Sequence, residues 1–433
     1  MTVAVPRFAG PLAALGPDDR QLLFERGTSA DPTVRARTAE IVERVRRDGD
    51  GALIALASEL DGARLHSMEV PRDAWRAALA QLDPKLRKAL ERTARNIERA
   101  HRAFMPRAVE VETEPGILVG RRPDPLRRVG IYAPGGRAAY ASSLLMAAVP
   151  ARVAGVESVL VCSPPNRSGS PSPVVLAAAE LARADRFFCI GGAGAIAAMA
   201  YGTRTVPKVD RIVGPGNAYV AEAKVQVSAA VAIDTPAGPS ELLAIADESA
   251  EPRAIAREMV AQAEHDPRSC VLAIALSESV AARIQAALVE VVSADGRAEV
   301  RESLSARGGV LWARSTEEAL EFAEEFAPEH LLLAIANPGA AFTLVRNAGA
   351  AFLGQSSAVP FGDYMTGANH VLPTGGWARS ASGLSVLDFV RWTSYQKVDP
   401  SAAARLADDV ALLADSEGLP AHAAAARAWK DRP

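Results

Sequence analysis

The chain has 433 residues and six histidines, and four of these stand in local contexts that could carry chemistry. In AQAEHDP, Gln262 and His265 lie three residues apart at the end of a helical run. That spacing puts both side chains on one face, where they could present two ligands to a metal ion. A histidine that closes a helix also interacts well with the helix dipole, so the motif alone leaves a structural role open. In APEHLLL, Glu329 and His330 are adjacent at a helix-to-strand junction. Neighbouring side chains on a strand point different ways, which allows two separate acid–base roles, one per residue. A charged surface terminus is the plainer alternative.

GDYMTGANHVLPTGG is dense in turn formers and predicts a long ordered loop, a frequent place for function. Within it Asp363 could ligate a metal, with His370 supporting the site from behind; an Asx-type turn would use the same aspartate. In SEGLPAH, Pro420 predicts the first turn of a final helix, with Glu417 before it and His422 inside it. An exposed tail is the competing reading. Gly192-Ala193-Gly194-Ala195-Ile196-Ala197 fits the G-x-G-x-x-A pattern between a strand and a helix, the dinucleotide context. Gly214-Pro215-Gly216-Asn217 opens another helix whose free amides could receive phosphate. Ser240 in TPAGPSE is not in a G-x-S-x-G elbow, which excludes a serine hydrolase of that type. Cys162, Cys189 and Cys270 are widely spaced and form no CxxC, so neither a disulfide framework nor a cysteine-based zinc site is expected. A thiol nucleophile is conceivable for Cys162 and Cys189, but buried structural cysteine is favoured.

These residues need a scaffold. Hydrophobic residues at 49 % and charged residues at 23 % describe a globular chain with a large core, and aromatics at 5 % leave aliphatic side chains to fill it. A net charge of −3 gives no basic excess for a phosphate backbone, which argues against nucleic acid as a partner. The N-terminus lacks a basic stretch followed by an apolar one, and no apolar run is long enough for a membrane span, so a cytoplasmic protein is expected.

Residues 1–110 read as helical, with Val34, Ile41 and Val45 on one face before stops at Gly49 and Gly51, and Leu86, Leu90 and Ile97 on another after a break at Pro84. From about residue 120, short apolar runs alternate with Ala-rich helices, Pro150 predicting a kink in one of them. A second such series starts near 236. Apolar strands alternating with helices predict an α/β fold with parallel sheets covered on both faces. The last residues read as two helices separated near Gly418, a tail too short and Ala-rich for a core of its own.

Taken together and in order, RRVGIYAPGG, VDRIVGPGNAYVAEAK, TPAGPSE, QAEHDP, APEHL, GDYMTGANHVLPT and EGLPAH resemble the histidinol dehydrogenase family over nearly the whole chain. The resemblance implies a zinc-dependent, four-electron oxidation of L-histidinol through bound L-histidinal to L-histidine with two NAD as co-substrate, the last steps of histidine biosynthesis. It implies one zinc ion per subunit on Gln262, His265, Asp363 and His422, and an acid–base pair of Glu329 and His330. Ser240, His330, Glu417 and the ligands Gln262, His265, Asp363 and His422 match substrate-contacting positions. Tyr132, Gly194 and Asn217 match cofactor-contacting positions, although the family usually carries Gln where this chain has Gly194.

The implied fold is two incomplete Rossmann-like parallel-sheet domains at 116–235 and 236–378, an N-terminal helical region at 1–115 and a C-terminal helical tail at 379–433. The family is a homodimer with shared active sites, which would give the tail something to dock on. The alternative is a relative on the same scaffold that oxidises another polar alcohol, such as a dihydroxypropanesulfonate; the EGLPAH motif argues against it.

Overall fold

The computed structural model describes residues 6–27, 31–135, 139–236 and 238–430. Gly136 of the expected Gly-rich turn, Ala237 of TPAGPSE and the extreme N-terminus lie outside the described residues.

The N-terminal region is mainly helical: Pro17–Phe24, Pro32–Asp48, Asp50–Leu60, Arg72–Gln81 and Pro84–Ala103. Ile41, Val45, Leu90 and Ile97 are buried as the spacing requires, whereas Leu86 is exposed. Pro84 opens the last helix because its missing N–H costs nothing there, and Asp83 accepts the Lys85 and Leu86 amides as the cap. Gly49 breaks the helices with φ +55°, while Gly51 lies inside the next helix instead of stopping one. The helical reading also missed a strand, β1 (Phe8–Pro11). Its four residues are too few for a period to show, and it exists because Gly309–Trp312 offers it a parallel edge.

Next come β2 (Val109–Glu114) and β3 (Ile117–Pro125), an antiparallel pair. Then β4 (Arg128–Tyr132), β5 (Ser158–Ser163), β6 (Arg186–Cys189), β7 (Arg211–Val213) and β8 (Ala232–Ile233) form a parallel sheet in the order β6-β5-β4-β7-β8. Its helices include Ala141–Ala154, which runs on past Pro150, and Gly192–Tyr201. The second parallel sheet contains β9 (Glu241–Ala246), β10 (Cys270–Ala275), β11 (Gly308–Trp312), β12 (His330–Ala334) and β13 (Ala350–Leu353), in the order β1-β11-β10-β9-β12-β13. The first sheet, and the second apart from its edge strand β1, start in the middle and wind outward one way and then the other, which leaves a switch point between β4 and β7 and another between β9 and β12. The central strands are apolar and buried on both faces; complete burial of a leucine such as Leu242 or Leu243 contributes about 1.5–3 kcal/mol.

The C-terminal part holds another strand the sequence reading passed over, β14 (Val390–Val398). It lies antiparallel along the whole of β3, from Val390 opposite Pro125 to Val398 opposite Ile117. Its valines, Trp392, Thr393 and Tyr395 are strand-favouring residues without a clean alternation, so the strand shows only beside a partner far away in sequence. The helices Pro400–Ser416 and Pro420–Arg427 follow as a hairpin with a small alanine core of Ala411, Ala414 and Ala423. Gly418 between them has φ +74°.

Candidate active site

The carboxyl ends of the first sheet and the amino ends of β9 and β12 in the second face one cavity of about 1180 Å³. Its walls include Tyr132, Gly194, Asn217, Ser240, Gln262, His265, Glu329, His330, Asp363 and His370. These residues are spread over more than two hundred positions of sequence, and the two switch points bring them together.

On the first-sheet side, Tyr132 ends β4 and its hydroxyl accepts the Gly192 amide at 3.0 Å. Burial pushes its phenol up to about 12, so it stays neutral. Gly214 follows β7 with φ +112°, and a Cβ there would lie 2.2 Å from the Tyr132 carbonyl oxygen. Only glycine lets the two strand ends approach so closely. Lys224 and Asp234, both buried, hold that turn: Lys224 donates to the Gly214 carbonyl and to Asp234, and Asp234 accepts the Gly214 amide at 2.7 Å. Asn217 caps the helix Ala218–Val227 by accepting the Val220 amide at 3.1 Å. Gly194 is buried in the helix Gly192–Tyr201, where a Cβ would meet Leu56 at 3.2 Å and Leu53 at 3.4 Å. The helix Asp50–Leu60 therefore occupies the space beside that position.

On the second-sheet side, Glu329 and His330 are both buried at the start of β12, not on a surface terminus. The Glu329 carboxylate accepts the Glu241 amide at 2.8 Å. His330 Nδ1 donates to the Glu241 carbonyl at 2.9 Å, which leaves Nε2, 3.6 Å from Asp363, without a hydrogen-bond partner. Burial disfavours a charged imidazole, but Glu329 and Asp363 outweigh it and hold the His330 pKa well above its ordinary value.

Asp363 is carried by a short helix, Val359–Tyr364, where turn composition predicted only loop. Pro360 suits its first turn, and Glu258 accepts the Val359 amide at 3.1 Å. Gly362 is required before Asp363 because a Cβ there would come within 2.7 Å of the Phe352 ring. His370 Nδ1 donates to the Asp363 carbonyl at 2.7 Å, and Ser143 donates to His370 Nε2 at 2.8 Å. Burial lowers the His370 pKa, in keeping with a neutral ring that braces the Asp363 backbone.

Gln262 is buried and His265 exposed at the end of the helix Pro252–Ala263, and both line the cavity. Gln262, His265 and Asp363 bring an amide oxygen, an imidazole and a carboxylate to one space, a donor set suited to zinc. Among the described residues, no group of three or more His, Cys, Asp or Glu side chains within the chain could hold a metal ion. Glu417 and His422 are exposed on the tail and do not line the cavity of their own chain. The cysteines are buried and free; burial pushes Cys189 and Cys270 up to about 12 and Cys162 higher still, so none supplies a thiolate.

Two residues at this site escaped the sequence reading. Glu241 lies behind Glu329 and His330, and Arg26 forms a buried ion pair with it. The available signal was a charged residue opening the otherwise apolar strand ELLAIA, because a buried charge demands a partner.

The sequence model of the histidinol dehydrogenase family matches residues 24–429. A histidinol dehydrogenase of Halobacterium salinarum is 47 % identical over 415 residues, 95 % of this chain and 97 % of that protein. One of Methanosarcina barkeri is 42 % identical over 410 residues, 94 % of each. The solved structure of histidinol dehydrogenase from Elizabethkingia anophelis superposes with a TM-score of 0.92 at 33 % identity, covering 99 % of this chain and 98 % of that one. With likeness running through nearly the whole chain and through the fold that builds this cavity, the chain belongs to the histidinol dehydrogenase family.

Proposed function

We propose that the protein oxidises L-histidinol through bound L-histidinal to L-histidine, using two NAD, and so completes histidine biosynthesis. The observation that carries this reading is the pairing of a buried carboxylate and a buried imidazole, Glu329 and His330, on a cavity wall beside Gln262, His265 and Asp363. Oxidising an alcohol to an acid removes two hydrides and adds one water, so the site needs a base for each hydride step and a base for water. In its neutral form, the base form that the carboxylates beside it make more basic, His330 would take the hydroxyl proton on Nε2 as hydride leaves the carbinol carbon for NAD. Glu329 would then take a proton from water as it adds to the aldehyde, giving the hydrate. His330, once it has released its first proton, would deprotonate the hydrate as the second hydride leaves.

Tyr132, the first turn of the helix Gly192–Tyr201 with Gly194, and Asn217 form the wall on which NAD would lie, at the first switch point. Zinc, held by Gln262, His265 and Asp363 with His422 from a second copy, would supply a template that orients a nitrogen-bearing substrate. Ser240 would contact the substrate from the start of β9, and Glu417 would do so from the second copy. The homodimer is supported by the tail, where Leu412 at 70 % and Leu413 at 65 % exposure, with Trp429, leave apolar surface that a partner would cover. Among the described residues no helix is long and apolar enough to cross a membrane, which suits the cytoplasmic setting we propose. Another polar alcohol is not favoured, since the relatives above are histidinol dehydrogenases by name. The test is to count NADH against L-histidinol consumed with an aldehyde trap present: about two NADH per histidinol is expected, because each NAD accepts one hydride. A count of one, with aldehyde released, would refute the two-step reading.

A further inference from the structure

The wall that carries Glu329 and His330 rests on a buried ion pair formed across more than two hundred residues. Arg26 follows the helix Pro17–Phe24, in the N-terminal segment that also gives β1 to the second sheet. Arg26 is 3 % exposed, and its guanidinium donates from Nε to Glu241 Oε1 at 2.7 Å and from Nη2 to Oε2 at 3.3 Å. It also donates to the Leu23 and Phe326 carbonyls, both at 2.6 Å, and stacks 3.5 Å from the Phe326 ring centre. Such a fork-to-carboxylate pair, anchored on every side, holds its carboxylate in one place.

Glu241 in turn touches both acid–base residues in three ways. Its carboxylate accepts the Glu329 amide at 3.2 Å, and the Gly375 amide at 2.7 Å. Its own amide donates to the Glu329 carboxylate, fixing that side chain. Its carbonyl accepts from His330 Nδ1. A carbonyl cannot donate, so the proton of a neutral His330 ring sits on Nδ1, and the lone pair sits on Nε2, on the side of Asp363. Two carboxylates, Glu241 and Glu329, are thus buried within one hydrogen-bonding unit. Arg26 is the cation that makes this tolerable, since an uncompensated buried charge would force a rearrangement.

We propose that Arg26 and Glu241 are a pair of positioning residues that fix the rotamer of Glu329 and the tautomer of His330 for turnover. This rests on the acid–base roles proposed for those two residues. The N-terminal segment therefore serves catalysis, through Arg26, and not only the edge of a sheet.

The test uses the full-length enzyme with Glu241→Gln, Arg26→Met, Arg26→Lys and the double variant Arg26→Met/Glu241→Gln, with Glu329→Gln in parallel. The measurements are kcat, KM for L-histidinol and for NAD, and the thermal midpoint. Glu241→Gln and Arg26→Met should each lower kcat about 100-fold, the scale of a misplaced catalytic group, with both KM values within about twofold. Arg26→Lys should fall between Arg26→Met and wild type. The double variant should exceed Glu241→Gln, because it leaves no guanidinium unpaired. If Glu241→Gln or Arg26→Met folds and keeps wild-type kcat, or raises KM at unchanged kcat, the proposal is overturned. Should neither fold, Arg26→Lys decides: reduced kcat at unchanged KM supports positioning, and wild-type kcat refutes it. An unaffected Glu329→Gln would overturn the acid–base reading instead, whatever the pair does.

Discussion

If His422 completes the site of a second copy, lesions in His330 and His422 must fall in different places in a mixed dimer. Within one chain His330 is buried in the cavity wall, while His422 is exposed on the tail helix Pro420–Arg427 and does not line that cavity. The perturbation is a pair of variants, His330→Asn and His422→Asn, coexpressed with two different affinity tags. Each homodimer carries one lesion in every site and should be nearly inactive. In the mixed dimer, one site draws His330 and His422 from the two altered positions and carries both lesions. The other draws both histidines from unaltered positions and is intact. Tandem affinity purification isolates the mixed dimer, whose NAD reduction per dimer should reach about half that of wild type, one working site of two. If the tail served its own chain, every site would keep one lesion and the mixed dimer would be as inactive as its parents. Activity near zero in a mixed dimer verified by intact mass would refute the shared site.

Four further outcomes are expected. Glu329→Gln should slow oxidation of L-histidinal more than that of L-histidinol, because only the aldehyde needs water activated; His330→Asn should slow both, and equal losses in Glu329→Gln would contradict this division. His265→Asn should bind less zinc by direct metal analysis, and chelation should abolish wild-type activity until zinc is restored; an apo-protein that turns over at the full rate would exclude the metal. Lys224→Met leaves Asp234 buried without its cation and should cost about 3–5 kcal/mol in denaturant unfolding, against well under half of that if the pair contributes little. His101, buried with Nδ1 accepting the Val386 amide at 3.2 Å, has its pKa pushed down to about 4 by burial. The unfolded state then binds a proton the folded state refuses, so stability is full above about pH 6.5 and falls toward pH 4 by up to about 1.4 kcal/mol per pH unit, a slope that His101→Gln should remove.

Much of this protein is written locally. The apolar strands, the Ala-rich helices between them, Pro84 at a helix start and Gly418 between the tail helices follow from patterns a few residues long, because periodicity and backbone constraint act over that range. The chemistry-bearing residues were legible for the same reason: Gln262 and His265 stand three residues apart where a helix ends, although His265 lies just past the helix Pro252–Ala263 and not on its face, and Glu329 and His330 meet where a helix gives way to a strand. What the sequence alone left open was how those residues would be assembled, because that depends on partners far away in the chain. β1 and β14 are strands only because distant edges receive them. The charge on Glu241 is tolerable in the core only because Arg26 arrives from the other end of the chain, and Asp363 approaches His330 only because Gly362 lets Phe352 pass. Hydrogen bonds and counter-charges of this kind have no period and no fixed separation, so the tertiary structure alone decided which groups stand behind Glu329 and His330, and which nitrogen of that imidazole is turned to Asp363.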